Sequence, residues 1–135
     1  MKKSLLLLLF TFLTFQLSAP DIRTLVIPET APVEPFDRLI HAIGMVEVKG
    51  DTTAYNETEQ AAGFFQIRPV RLDDFNRRTG NKYTLNDMFD FNIARKVFLY
   101  YASQIGPYDY EKIARNWNGS GYKTRLYWNR VRKYL

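Results

Sequence analysis

The stretch Pro35 to Val48 constrains this chain more than any other. Phe36, Leu39, Ile40 and Ile43 recur at i, i+3, i+4 and i+7, the spacing of one buried helix face. Pro35 suits the first helical position, where its missing N–H would have no partner. Glu47 falls on the same stripe, within roughly 20° of both Phe36 and Ile40 at about 100° per residue. Burial of a carboxyl there disfavours the charged form and raises its pKa. A general acid working near neutral pH needs that shift. The alternative is a last turn that frays and lets Glu47 face solvent.

The chain has 135 residues, the length of one domain. It opens Met1-Lys2-Lys3 and continues in an apolar run from Ser4 to Leu17, followed by the small residues Ser18 and Ala19. Residues 1–19 therefore read as a secretory signal peptide. Leu17 is large for its place before Ala19 and Pro20 would follow the cut, so a retained anchor is the alternative reading. Residues 20–34, with Pro20, Pro28 and Pro32, read as an extended linker, in which Leu25-Val26-Ile27 is a short strand candidate. The domain is expected over residues 35–135. With no cysteine in the chain, neither disulfides nor thiolate chemistry are available. Stability has to come from apolar burial, and the aromatic residues gathered from Phe64 onward supply it. The net charge of +5 is mildly basic. It suits an anionic polymer and falls short of a nucleic-acid footprint.

After the first helix, Lys49 to Ala62 reads as a polar loop with room for a small hairpin. Gly63-Phe64-Phe65-Gln66-Ile67 is an apolar run interrupted by one amide. Further helices are expected from Pro69 to about Arg78, from Phe91 to Ile105 behind Asp90, from Tyr110 to about Trp117 behind Asp109, and from Tyr122 toward Leu135. Thr84 to Asp87 has the form of a capping box. The fold class is thus mainly α, with about five helices.

Few chemistries fit these residues. His41 is the only histidine, which excludes a histidine-based metal site and argues against a nucleophilic triad. Asp87, Asp90 and Asn92 lack the calcium-loop pattern and read as helix caps. No phosphate loop or dinucleotide fingerprint occurs, so neither a metal nor a cofactor is expected. Carboxylates remain: Glu47, with Asp51, Glu57 and Glu59 in the following loop as second acids that spacing alone does not rank. Gln66 needs buried partners or faces a groove. Trp117-Asn118-Gly119 suits sugar binding and suits helix termination equally. Lys123, Arg125, Arg130, Arg132 and Lys133 form an acid-free basic stretch, either solvated or drawn to wall polymer or membrane phosphates.

Taken together, Glu47, the run Gly63 to Ile67 leading to Pro69, the stretch Ala114 to Gly119 and the closing helix Leu126 to Val131 resemble the lysozyme-like domain of soluble lytic transglycosylases. The likeness spans about Phe36 to Val131. Val48 stands where that family usually has serine, Trp117 where tyrosine is usual, Gly119-Ser120 in place of alanine-glycine, and Phe65 in place of a common methionine. The resemblance implies a lysozyme-like α+β domain, export to the periplasm or cell envelope, and a monomer acting on peptidoglycan glycan strands without a cofactor. It implies Glu47 as the catalytic acid and base. Gln66 and Asn118 would position substrate, and Phe65, Trp117 and Tyr127 would line the groove. The bond cleaved would be the β-1,4 link from N-acetylmuramic acid to N-acetylglucosamine, with a 1,6-anhydro product. A non-catalytic glycan binder, motivated by Val48 and Trp117, and a hydrolytic muramidase using a loop acid are the alternatives.

Overall fold

In the computed structural model, residues 35–135 are described. The expected signal peptide, linker and Leu25–Ile27 strand lie outside them. The described chain is mainly helical, with five α-helices and one small sheet. Helix α1 covers Asp37–Val48, strands β1 and β2 cover Tyr55–Asn56 and Ala61–Ala62, and α2 covers Pro69–Thr79. A 3-10 helix at Leu85–Phe89 precedes α3 (Phe91–Ser103), α4 (Tyr110–Asn118) and α5 (Lys123–Val131). Among the described residues no helix is long and apolar enough to cross a membrane.

Local chemistry sets most of these limits. Pro69 stands at the start of α2, and Gly80 ends it in the left-handed region with φ 74°. The capping box forms, with Asp87 accepting from the Thr84 backbone and hydroxyl, but it opens a single 3-10 element rather than an α-helix. Asp90 caps α3 by accepting from the N–H groups of Asn92 and Ile93, and Asp109 caps α4 through Lys112 N–H. Three expected limits shift. Phe36 rather than Pro35 precedes α1, so Pro35 is outside the helix. Helix α3 stops at Ser103, two residues short of Ile105. Helix α5 starts after Tyr122 and ends at Val131, leaving Tyr134 exposed beyond it.

The polar loop after α1 does hold a hairpin. Tyr55 pairs with Ala62 and Asn56 with Ala61, antiparallel. Ala62 and Ile67 then exchange backbone hydrogen bonds of 3.0 Å in both directions, so Gly63 to Gln66 form a closed four-residue turn. Gly63 is obligatory there. Its φ is 73°, and a Cβ would come within 1.9 Å of the Met88 carbonyl oxygen.

The core lies where α1, α3, α4 and α5 meet this turn. Leu39, Ile40 and Ile43 of α1 are buried as their spacing predicts. Phe65 is its centre, stacked on Phe98 at 4.9 Å between centroids and edge-on to Trp117 at 6.2 Å. Phe64 lies across α1 at Gly44, where a Cβ would meet the ring at 1.9 Å. Helix α5 packs on both α4 and α1, which carries Tyr127 to the C-terminal end of α1.

Candidate active site

Glu47 is the penultimate residue of α1, and the turn that holds it does not fray. Lys49 takes the left-handed conformation, φ 52°, and its N–H donates to the Gly44 carbonyl. Gly50 N–H donates to the same oxygen at 3.2 Å. Two successive left-handed residues thus fold the chain back over the last turn. The carboxyl is aimed inward, where Tyr127 Oη donates to Glu47 Oε1 at 2.7 Å across 80 residues of sequence.

Burial pushes the Glu47 pKa up, and it outweighs three opposing influences: the Tyr127 hydrogen bond and the positive charges of Arg130 and Arg68. The negative charge of Glu59 adds to the upward push. Burial likewise drives the Tyr127 phenol far above its ordinary range, reinforced by the Glu47 charge. Tyr127 is therefore a permanent donor. Oε1 is engaged as the acceptor of the Tyr127 hydroxyl, so a proton on Glu47 would sit on Oε2.

Glu47 opens into a recess of about 80 Å³. Gln66, Arg68, Arg71 and Glu59 form its walls, with Trp117 and Asn118. Gln66 reaches it through backbone geometry. Its φ of 49° closes the turn from Gly63. Its Nε2 donates to the carbonyls of Gly63 at 3.0 Å and Ala54 at 3.3 Å. Those bonds fix the amide and leave Oε1 as its acceptor for a ligand. Asn118, the last residue of α4, is partly exposed at the rim.

Of the three aromatic residues expected to line a groove, Trp117 borders the recess, while Phe65 and Tyr127 lie behind it. Phe65 is fully buried, at 0 % exposure, and no ligand reaches its ring. Its carbonyl instead accepts the Trp117 indole N–H at 3.2 Å. Trp117 contributes little more than an edge to the recess, because the Arg71 guanidinium lies 4.2 Å over its ring and Phe98 packs against it at 5.1 Å. No indole face is left for a sugar to stack on. Tyr127 is 1 % exposed and acts behind the wall, on Glu47.

The loop acids separate cleanly. Glu59 shares the recess with Glu47, held at the hairpin by its own N–H donating to Asn56 Oδ1. Asp51 instead caps a local turn, accepting from Thr53 N–H and Oγ1, which lowers its pKa. Glu57 is exposed on the hairpin, and His41 is exposed on the outer side of α1. The two arginines of the recess are absent from the sequence-based expectations. Their signal is the spacing Arg68-Pro69-Val70-Arg71, which puts both on one side of the first turn of α2. Arg71 is anchored by donating to the Trp117 carbonyl at 2.9 Å.

The recess shares lining residues with two larger hollows. A hollow of about 280 Å³ adjoins it through Arg68 and Arg71. Another of about 570 Å³ adjoins it through Asn118 and continues past Lys123, Leu126 and Arg130. Larger or comparable hollows elsewhere lack a free acid. In one, of about 510 Å³, Asp109 caps α4 and Glu111 pairs with Arg115. Another, of about 600 Å³ by Phe36, Phe75 and Tyr100, is mostly apolar and holds no carboxylate.

The site is thus a largely buried carboxyl with a raised pKa in a small recess, backed by a tyrosine and sharing the recess with a fixed amide. Comparison of the chain with protein-family models, with curated proteins and with solved structures finds no match.

Proposed function

We propose that the protein is an exported peptidoglycan lytic transglycosylase with a lysozyme-like fold and a single catalytic carboxyl, Glu47. The observation that carries this reading is the Glu47 carboxyl itself, desolvated in a groove and held by Tyr127. Its support from sequence is the order of the Glu47, Gly63–Ile67 and Ala114–Gly119 segments.

The chemistry starts from the proton on Oε2. Glu47 donates it to the oxygen joining N-acetylmuramic acid to N-acetylglucosamine as the C1–O bond breaks. The acetamido oxygen of the same muramyl residue closes on C1 and shares the positive charge. Glu47 is now a carboxylate, stabilised by the Tyr127 hydroxyl. It accepts the proton of the muramyl 6-hydroxyl as that oxygen attacks C1, the acetamido oxygen departs, and a 1,6-anhydro ring forms. Glu47 ends protonated again. Gln66 Oε1 and the Asn118 amide, which border the recess, would hold the sugar that spans it.

A second reading has one observation in its favour. Glu59 shares the recess, so a hydrolase using it to activate water is the rival. Product analysis decides. Glycan strands treated with the wild-type protein should acquire 1,6-anhydromuramyl ends, with none from Glu47→Gln and little change from Glu59→Gln. Reducing ends, lost on Glu59→Gln, would establish hydrolysis and overturn the lyase assignment.

A further inference from the structure

We propose that the groove through Glu47 selects polysaccharide strands bearing free carboxylates. Lys123 and Arg130 would grip the strand on one side of the recess, and Arg68 and Arg71 on the other. The proposal rests on the glycan-strand reading of the same site and specifies what that site recognises.

Charge in the groove is one-sided. Four cations line its three parts. Of the acids, Asp74 is already held by Arg77 at 2.5 Å, by Arg78 at 2.8 Å and by the Tyr101 hydroxyl at 3.0 Å. Glu47 is biased toward its neutral form. That leaves Glu59 against four positive charges. Among the described residues, Arg68, Lys123 and Arg130 take part in no ion pair. Arg130 leans over the Tyr127 ring at 5.6 Å, so its charge sits beside the reacting centre.

The arrangement of α5 favours a strand over a flat surface. Lys123, Leu126 and Arg130 are spaced i, i+3 and i+7, within about 60° of arc at 100° per residue. They line a concave hollow of about 570 Å³, with Leu126 49 % exposed between the two cations. An apolar sugar face fits over Leu126 while carboxylates on neighbouring substituents meet Lys123 and Arg130. Arg125 and Arg132 project roughly 140–160° away from Arg130 around the helix. A bilayer would have to meet both sets at once, and a flat surface does not enter the hollow. The shared ligand chemistry is the carboxylate, whether it belongs to a lactyl group on the sugar or to a peptide stem.

The test reads binding rather than cleavage. The full chain carrying Glu47→Gln is titrated with four probes: stem-bearing strands, strands stripped of stems but retaining lactyl carboxylates, strands with every carboxyl amidated, and phosphatidylglycerol vesicles. Each exposed charge pair is worth about twofold, so amidation, which removes the partners of all four cations, should weaken binding about 15-fold. Lys123→Gln with Arg130→Gln removes two of the four contacts and should weaken binding to carboxylated strands about fourfold, leaving amidated strands unaffected. Arg125→Gln with Arg132→Gln should change nothing by more than about twofold. Full affinity for stripped strands would assign recognition to the lactyl group, and its loss would assign it to the stem; both support the proposal. Equal binding of amidated strands overturns it. So does tighter binding to vesicles, tracking Arg125 and Arg132. Carboxylate-dependent binding without any cleavage by the wild type would remove the lyase reading and leave this one standing.

Discussion

Replacing Tyr127 with phenylalanine removes one oxygen atom and keeps the buried ring. The lost hydroxyl is the donor to Glu47 Oε1 at 2.7 Å. The raised Glu47 pKa favours a neutral acceptor, for which the bond contributes about 1 kcal/mol of stability, the worth of an ordinary buried hydrogen bond. For a domain of this size its loss lowers the melting temperature by roughly 4–8 °C. After proton delivery the acceptor is a carboxylate, and the same bond is about twice as strong. The difference, ~1 kcal/mol, is stabilisation present only once charge has developed on Glu47. Removing it should slow strand cleavage about five- to tenfold. The pH profile should change in a specific direction. Tyr127 lowers the Glu47 pKa against the upward push of burial, so its loss lets that pKa rise further. A general acid is active while protonated, and the alkaline limb of the rate profile should therefore move to higher pH. The assays are urea unfolding and initial rates on purified glycan strands across the pH range. A Tyr127→Phe protein with a rate close to wild type and an unmoved alkaline limb would refute the proposed coupling.

The same geometry has other consequences. The folded Glu47 pKa lies above its unfolded value of 4.5, so the folded state binds the extra proton and stability declines as pH rises through the folded pKa. Glu47→Gln should match wild-type stability below pH 4.5 and exceed it progressively above, read by unfolding at a series of pH values. Gly63→Ala meets both a φ of 73° and the Met88 carbonyl; a loss of at least ~2 kcal/mol is expected, with the recess opened and binding of Glu47→Gln to strands lost in the double variant. Trp117→Phe keeps an aromatic ring but loses the bond to the Phe65 carbonyl, lowering stability by about 1–2 kcal/mol in thermal melts.

Much of this site is legible in sequence because helix periodicity and capping are local. The α1 stripe puts Glu47 in phase with Leu39, Ile40 and Ile43, and Asp90 and Asp109 mark the starts of α3 and α4. The long-range contacts are not legible. Nothing near Glu47 in sequence reveals Tyr127 as its donor, because that meeting is set by the packing of α5 on α1. Phe65 and Trp117 read as groove residues because an aromatic beside an amide fits a sugar site and a core alike. The core takes Phe65, since the turn from Gly63 points it inward, whereas Trp117 packs in the core under Arg71 and still borders the recess. Glu59 cannot be ranked above Asp51 and Glu57 until the hairpin register is known.

Catalysis of this kind stands or falls on Glu47 holding a proton near neutral pH inside the groove. Carbon-detected NMR of the protein with labelled glutamate side chains would follow that carboxyl directly through a pH titration. The expected midpoint is displaced upward from ordinary glutamate and rises further in Tyr127→Phe. A midpoint no higher than that of ordinary glutamate, unmoved in Tyr127→Phe, would contradict it.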